Sequence, residues 1–383
     1  MIMDAFSLMI ENKVSYVVVK PKDTGEPGYV SLLSLSQLKK ETPEFFIHNI
    51  KKSASLEETA TLMKQLPNLV SNLVNAGTDP TNTGKLISKV SDSITEKIIS
   101  KIIENHGTPP APFVFTSLGS DGRREQTLAT DQDNAIIYQT DREKDNFQDY
   151  FLELGHKICT QLDSVGYPFC VGNVMAMTPE WCMSLTGAKN KVSAWIDTPN
   201  PKELLNVGIF FDFRPIVGDF EIANQLQKHI IDKLRDKNAF FYNLVQNIIS
   251  IKPPLNARGQ ISYDTFEDED FIDIKKPIMI LTAIIRMWSL KFGISERNTM
   301  ERLRSLQTGG IVTASTANEF EQGLRFMMQL RIMNQLKNIA EGKKPSNIIF
   351  AKTMSEIDRT MLKKIFLAIS AHQTLLSHEF RIG

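Results

Sequence analysis

The sequence predicts an α/β domain followed by an all-α bundle, and two patterns support this fold class. Over residues 113–220, short apolar segments that suit strands alternate with segments that suit helices, which is typical of a sheet covered by helices. Beyond this region the apolar positions recur at helical spacing to the end of the chain. The clearest predicted helices span residues 275–292, 316–340 and 355–378.

The first 50 residues contain a small strand-rich unit. Their patterns predict a helix over 3–11, strands over 15–20 and 29–33 joined by a turn over 23–28, and the start of a helix over 34–40. A unit of this size buries little apolar surface by itself. We therefore expect it to pack against another part of this chain or against a partner chain, and the second arrangement would favour a homodimer.

A helical segment follows. Ser55 and Glu58 have the spacing of a capping box, in which a hydroxyl and a carboxylate satisfy the first free N–H groups of a helix. The helix that begins there is predicted to run to about residue 76 and to bend at Pro67, because proline removes a backbone hydrogen bond.

A second helix is predicted over 84–106, where an apolar residue recurs at every fourth position, and Gly107 suits its C-cap. The preceding segment, 77–85, ends in Gly-Lys like a phosphate-binding loop. Its glycines are too far apart for that motif, and Leu86 stands where the motif has a magnesium-binding hydroxyl. We therefore interpret this segment as a loop between helices.

The α/β region begins with an apolar strand, a Gly-Ser turn that carries two arginines, and a second strand opened by two aspartates, all within 113–138. A helix is predicted over 146–165. The mostly apolar run over 205–214 is predicted to be a strand near the centre of the sheet. The acidic run over 264–270 is predicted to be a solvated loop.

Composition excludes several classes of protein. Lys and Arg together number 44, as do Asp and Glu, and the resulting net charge of zero argues against a dedicated nucleic-acid binder. The three cysteines are too few for a disulfide framework or a zinc site. No signal peptide and no apolar stretch long enough to span a bilayer is apparent. We expect a cytoplasmic protein without a membrane partner.

Three aspartates are candidate metal ligands. Side chains alternate along a strand, so Asp131 and Asp133 are expected to lie on one face. Asp212 interrupts an apolar run and is the candidate third carboxylate, because a buried carboxylate needs a cationic partner or a metal. Hard oxygen ligands of this kind suit Mg²⁺ or Mn²⁺ bound with a nucleoside triphosphate. A structural salt bridge between Asp212 and Arg214 is the alternative for that residue.

The Gly-Ser turn supplies the candidate phosphate contacts. The backbone N–H groups of such a turn can face phosphates, glycine permits close approach, and arginine binds phosphate oxygens in pairs. A surface ion pair between Arg124 and Glu125 is the alternative for these two residues. The candidate nucleotide-binding residues are Gly119, Ser120, Arg123 and Arg124.

Three blocks of sequence carry a family resemblance. GSDGRREQ over 119–126 and TDQDN over 130–134 resemble the nucleotidyltransferase family DUF294, which is part of the superfamily related to DNA polymerase β and is similar to the N-terminal domain of the PII-protein uridylyltransferase. FDFRP over 211–215 resembles the strand that carries the third carboxylate of the family. The resemblance extends over residues 50–383 and implies a mixed nucleotidyltransferase sheet with helices.

In this family CBS domains commonly precede the nucleotidyltransferase domain, and the N-terminal unit resembles the end of a CBS module. Only about one CBS motif is present, whereas CBS modules bind adenosyl ligands as pairs. The resemblance implies a partial CBS-like unit over 1–50, a helical linker over 51–108, a nucleotidyltransferase domain over 109–222 and a C-terminal helical domain over 223–383.

The resemblance also implies an activity. A metal-dependent enzyme would transfer a nucleoside monophosphate from a nucleoside triphosphate to an acceptor hydroxyl, and the acceptor is expected to be a signalling protein. Asp131 and Asp133 would bind the metal, and Asp212 would complete the site and act as, or organise, the base. The alternatives are a nucleotide-sensing signal-transduction protein that does not transfer, and an oligomeric scaffold that binds no nucleotide.

Overall fold

The computed structural model describes residues 9, 14–19, 28–31, 42–140 and 147–382. Near the N-terminus, strands β1 (Tyr16–Val19) and β2 (Gly28–Ser31) pair antiparallel, which confirms the two strands predicted there. The predicted helices over 3–11 and 34–40, and the turn over 23–28, lie almost entirely outside the described residues.

Within residues 42–112, four helices precede the sheet: α1 (Pro43–Lys52), α2 (Leu56–Met63), α3 (Leu66–Asn75) and α4 (Pro80–His106). The Ser55 hydroxyl accepts a hydrogen bond from the Glu58 N–H, so the predicted cap of α2 is confirmed. The single bent helix predicted up to residue 76 is wrong, because α2 ends before α3 begins and Pro67 lies in the first turn of α3. A backbone N–H at that position would have no partner within the helix, so the missing N–H of proline costs no hydrogen bond.

Helix α4 begins four residues before the predicted position. Asp79 caps it by accepting a hydrogen bond from the Thr81 N–H, and Pro80 occupies the first turn. The segment 77–85, interpreted from the sequence as an inter-helix loop, is therefore mainly the start of this helix. Gly107 follows the last turn with φ of 94°, a conformation that favours glycine, as the predicted C-cap requires.

A mixed four-stranded sheet forms the centre of the α/β region. Its strands are β3 (Phe113–Ser117), β4 (Asn134–Tyr138), β5 (Cys182–Ser184) and β6 (Arg214–Gly218), in the order β5-β4-β3-β6. β3 pairs antiparallel with β4 and β6, and β4 pairs parallel with β5. All residues of β3 and β4 are buried, which explains why both strands are mostly apolar.

Five helices accompany this sheet: α5 (Gly119–Gly122), α6 (Gln148–Ser164), α7 (Leu185–Asp197), α8 (Pro201–Phe210) and α9 (Phe220–Leu234). The helix predicted over 146–165 is confirmed by α6. The strand predicted over 205–214 is wrong, because α8 occupies most of that run and β6 begins only at Arg214. A buried helix is as apolar as a central strand, so the hydrophobic run did not distinguish them.

The C-terminal region is mainly helical, with α10 (Asn238–Ser250), α11 (Lys275–Lys291), α12 (Thr299–Thr308), α13 (Ala314–Ala340) and α14 (Glu356–Glu379). The three long helices predicted there are confirmed. The region also contains a three-stranded antiparallel sheet of β7 (Asp264–Phe266), β8 (Glu269–Asp273) and β9 (Ile348–Phe350).

The acidic run is a β-hairpin rather than a loop. Glu267 and Asp268 both have positive φ, which is the conformation of a two-residue turn that matches the twist of the paired strands. The three residues of β7 are exposed, so the prediction that this run is solvated is correct.

The sheet separates two hydrophobic cores. Val114 of β3 faces a core shared with α7, α9 and the C-terminal helices, while Phe113 and Phe115 face a core shared with α1, α3, α4 and α6. This alternation is the period-two pattern of a strand buried on both faces. The predicted mixed sheet and helical C-terminal region are confirmed, and the helices of that region pack against the sheet. No helix in the part of the chain that is described has the length and apolarity to cross a membrane.

The packing predicts opposite effects for two glycine substitutions. A Cβ at Gly155 of α6 would lie 2.2 Å from the Ala176 carbonyl oxygen, whereas at Gly323 of α13 its nearest neighbour would be Ile365 at 3.4 Å. Gly155→Ala should lower the free energy of unfolding by about 1–3 kcal/mol through overpacking. Gly323→Ala is the matched control and should be neutral or stabilising by up to ~1 kcal/mol, since alanine favours helix. Urea unfolding of both variants tests this, and equal effects would contradict it.

Candidate active site

The predicted Gly-Ser turn leads directly from β3 into the short helix α5. Gly119 has φ of 53° and Arg124 has φ of 58°, so the turn begins and ends in left-handed conformations. A Cβ at Gly119 would lie 2.9 Å from the Asp133 carboxylate. A Cβ at Gly122 would overlap the Asp212 carbonyl oxygen, at 2.1 Å. The two glycines therefore permit the turn to contact the segments that carry Asp133 and Asp212.

Asp131 and Asp133 lie in the segment that leads into β4. The Leu118 N–H donates to the Asp133 carbonyl oxygen at 2.9 Å, which joins this segment to the turn. The Gln132 side chain donates to the carbonyl oxygens of Cys159 and Tyr167. These hydrogen bonds of a buried amide anchor the segment between the two aspartates.

The carboxylates of Asp131 and Asp133 influence each other. Burial and the neighbouring charge of Asp131 raise the pKa of Asp133 to about 6, although a hydrogen bond from the Cys170 thiol and the charge of Lys275 oppose this. Burial and the proximity of Asp133 raise the pKa of Cys170 to about 11, so the thiol stays protonated and remains a donor. The pair is thus a site of concentrated negative charge.

Asp212 has a different environment. Its carboxylate is fully buried in the turn between α8 and β6 and accepts hydrogen bonds from three arginines. Oδ2 accepts from Arg123 at 2.8 Å and from Arg286 at 2.7 Å, and Oδ1 accepts from Arg302 at 2.7 Å. Burial alone would raise the pKa of Asp212, but the three guanidinium groups hold it far below its usual value.

The three predicted metal ligands are therefore not brought together. Among the described residues, no group of three or more carboxylate, histidine or cysteine side chains is arranged to hold a metal ion. Asp131 and Asp133 lie together, whereas both oxygens of Asp212 are occupied by arginines. The predicted pairing of Asp212 with Arg214 is also wrong, because the Arg214 guanidinium makes two hydrogen bonds to Asp92, at 2.8 and 2.9 Å.

The residues predicted to bind phosphate are placed as follows. Arg123 is nearly buried and pairs through Nε with Glu125 at 2.7 Å as well as with Asp212. Burial opposes the charge of Arg123, but these two carboxylates raise its pKa above the usual value. Arg124 is exposed, and its side chain pairs with no carboxylate in the described segments. The predicted surface pair of Arg124 with Glu125 is wrong, since Glu125 pairs with Arg123.

Two small cavities, called here the acidic and the basic cavity, lie beside the turn. The consecutive turn residues Ser120 and Asp121 line different cavities. The acidic cavity is lined by three carboxylates, Asp121, Asp131 and Asp133, and by no lysine or arginine among the described residues. Ser120 and Arg123 instead line the basic cavity. Residues of α11, α12 and α13 complete the basic cavity, which includes Arg331.

Sequence reasoning missed several residues of this site. Burial raises the pKa of Asp121 to about 6 against the opposing charge of Arg214, yet Asp121 was not among the candidates. Arg286 is buried and donates to the Asp212 carboxylate, a contact that the sequence did not predict. Arg302 and Arg331 were not considered as site residues. The Asp212 partner of Arg302 lies 90 residues away in the sequence, so no local pattern indicated the role of Arg302.

Comparison with known families identifies both halves of the chain. The family described as Putative nucleotidyltransferase DUF294 matches residues 64–202. The family described as Putative nucleotidyltransferase substrate binding domain matches residues 238–380. No curated protein matches the chain. The two matched segments together cover more than two thirds of the sequence.

The environment of Asp212 predicts a structural role. Asp212→Asn should lower the free energy of unfolding by about 3–5 kcal/mol, because it leaves buried guanidinium groups without their counter-charge. Asp131→Asn is the control and should not destabilise the protein, since it removes a partly exposed carboxylate that repels Asp133. Urea unfolding at neutral pH measures both effects. An Asp212→Asn variant as stable as the wild type would contradict this role.

The raised pKa of Asp133 predicts a pH-dependent effect on stability. With a folded pKa of about 6 against a usual 3.8, ionisation of Asp133 destabilises the folded protein above pH 6 and has no effect below the unfolded pKa. Asp133→Asn should therefore stabilise the protein by about 1–2 kcal/mol at pH 7.5. The gain should vanish as the pH falls towards 4.

Thermal unfolding from pH 4 to 8 in metal-free buffer tests this prediction. The exposed Asp163 provides a control, and Asp163→Asn should change stability little at any pH. Destabilisation by Asp133→Asn across the whole pH range would contradict it.

Proposed function

The chain belongs to the DUF294 nucleotidyltransferase family, and on that premise we propose that it transfers a nucleoside monophosphate from a nucleoside triphosphate to an acceptor hydroxyl. The observation that carries this proposal is the contact between the Gly119 turn and the Asp131–Asp133 pair. The N-terminus of the short helix α5 thus lies beside two carboxylates. The backbone N–H groups at a helix N-terminus suit phosphates, and the two carboxylates suit a cation that itself binds phosphates.

The two carboxylates fit a divalent cation such as Mg²⁺ or Mn²⁺. Asp131 is close enough to Asp133 to raise its pKa, and a bound cation would relieve that repulsion. Magnesium is commonly bound by one or two carboxylates, with phosphate and water as further ligands, so a third carboxylate is not required. When bound, the cation would neutralise charge that develops on the α-phosphate.

The protein groups have separate tasks in the proposed reaction. The N–H groups of the turn and the Ser120 hydroxyl bind phosphate oxygens, and the exposed Arg124 is free to contact the triphosphate from the rim. The acceptor oxygen forms a bond to the α-phosphorus, and the bond from that phosphorus to the bridging oxygen breaks. Pyrophosphate leaves, and the hydroxyl proton passes to solvent or to a base.

Asp212 takes a positioning role in this proposal. Its carboxylate is fully buried and accepts three charged hydrogen bonds, so it is poorly suited to bind a metal or to accept a proton. It fixes Arg123, which follows the turn, to arginines of the helical region. We therefore propose that Asp212 holds the turn and the helical region in the arrangement that binds nucleotide. A protein acceptor in signal transduction is the related expectation from the family.

Nucleotide binding and turnover test the function. Calorimetric titration of ATP, UTP, GTP and CTP with Mg²⁺ should reveal metal-dependent binding of at least one nucleotide to the wild type. Asp131→Asn with Asp133→Asn should weaken that binding by about 10-fold or more, because the charged ligands of the cation are lost. The double variant should remain folded, since neither aspartate has a cationic partner in an ion pair among the described residues.

Release of pyrophosphate separates the enzyme from a nucleotide sensor. Incubation of the wild type with the bound nucleotide and a cell extract as acceptor source should release pyrophosphate, and the double variant should release none. Binding without release in any extract would favour the non-catalytic sensor. No binding of any nucleotide to folded protein would refute both and leave the scaffold role.

A further inference from the structure

The basic cavity contains a buried cation without a counter-ion. Arg331 of α13 is 8 % exposed, and its Nε donates to the Asn347 side chain at 2.7 Å. No carboxylate among the described residues lies within salt-bridge distance of it, and Asp273 influences it only from farther away. Buried charges in proteins are normally paired. An unpaired guanidinium beside a cavity therefore indicates an anionic ligand.

Two buried hydroxyls in the same cavity also lack partners. Thr282 of α11 is 3 % exposed and Thr299 of α12 is 2 % exposed, and both line the basic cavity. The Oγ1 atom of each has no hydrogen-bond partner among the described residues. A buried hydroxyl without a partner destabilises a protein, so such groups usually meet water or a ligand. Two donors and a guanidinium thus surround one small space.

The charge of the lining favours an anion. The charged side chains that line the cavity are two guanidinium groups, of Arg123 and Arg331, and one carboxylate, of Glu125. That carboxylate is already satisfied, because it accepts from Arg123 Nε and from the Thr299 N–H, both at 2.7 Å. Burial lowers the pKa of Arg331 to about 10, which a bound anion would reverse.

We propose that the basic cavity is a binding site for a phosphoryl group, formed by Arg331, Thr282 and Thr299 of the helical region with Arg123 of the turn. Guanidinium and hydroxyl donors around a compact space match the tetrahedral oxygens of phosphate. Ser120 lines the same cavity. The phosphoryl group is either the terminal phosphate of the nucleotide or a separate phosphate. Only the first of these two sources rests on the proposed function.

Inorganic pyrophosphate in metal-free buffer with a chelator is the direct probe. It should bind the wild type and raise its melting temperature. Arg331→Met should weaken this binding about 10- to 100-fold, as expected for a charged hydrogen bond. Thr282→Val keeps the side-chain shape and should weaken it about 3- to 10-fold. Thr282→Val should not melt below the wild type without ligand, because it removes a buried hydroxyl that has no partner. Arg331→Met loses the hydrogen bond to Asn347 but also removes a buried charge without a carboxylate partner, so its melting temperature should stay close to that of the wild type.

Two controls keep the result specific. Arg304 of α12 is exposed, and Arg304→Gln should leave pyrophosphate binding unchanged. The Asp131→Asn/Asp133→Asn variant should also retain it, so a failure of the proposed transferase activity would not affect this test. The proposal is overturned if pyrophosphate does not bind, or if Arg331→Met and Thr282→Val both bind it like the wild type.

Nucleotide titrations then identify the source of the phosphoryl group. If the cavity holds the terminal phosphate, Arg331→Met should weaken binding of the triphosphate by the same factor as pyrophosphate and leave the monophosphate unaffected. If it holds a separate phosphate, Arg331→Met should leave triphosphate binding unchanged while it weakens pyrophosphate binding. Either pattern supports the phosphoryl site.

Discussion

The buried carboxylate of Asp212 is the interaction on which the arrangement of this protein depends. It joins Arg123, which follows the Gly-Ser turn, to Arg286 of α11 and Arg302 of α12. One carboxylate therefore connects the α/β region with two helices of the C-terminal region. Since desolvation of so many charges is unfavourable, the cluster is stable only as a complete set. Loss of its single negative member would affect both regions.

The same cluster produces an excess of positive charge between the two regions. Asp212 and Glu125 together face three guanidinium groups, and Arg331 has no carboxylate partner nearby. Burial lowers the pKa of Arg286 in spite of its contact with Asp212, which indicates incomplete compensation. A cluster of this kind stabilises the fold less than an apolar core would. Its arrangement is better explained by binding of an anion than by stability.

The sequence predicted features that depend on neighbouring residues, but it did not predict contacts between residues that are far apart in the chain. The spacing of Asp131 and Asp133 and the glycine of the turn are local features, and the structure has them as expected. Asp212 was placed in a strand because a buried helix and a central strand have the same apolar composition. Its arginine partners lie 74, 89 and 90 residues away, a separation that no periodicity or motif encodes. The residue types of the turn and of the aspartate pair were therefore predictable from the sequence, whereas the ion pairs of Asp212 were not.

The turn itself separates two opposite electrostatic environments. Asp121 lines the cavity with the other carboxylates, while its neighbour Ser120 lines the cavity with Arg123 and Arg331. A nucleoside triphosphate bound as a metal complex needs both, since its cation requires carboxylates and its distal phosphates require cationic donors. The carboxylates come from the α/β region, whereas Arg331 and the two threonines without hydrogen-bond partners come from α11, α12 and α13. Nucleotide binding would then require both regions together, and Asp212 is the group that fixes their relation.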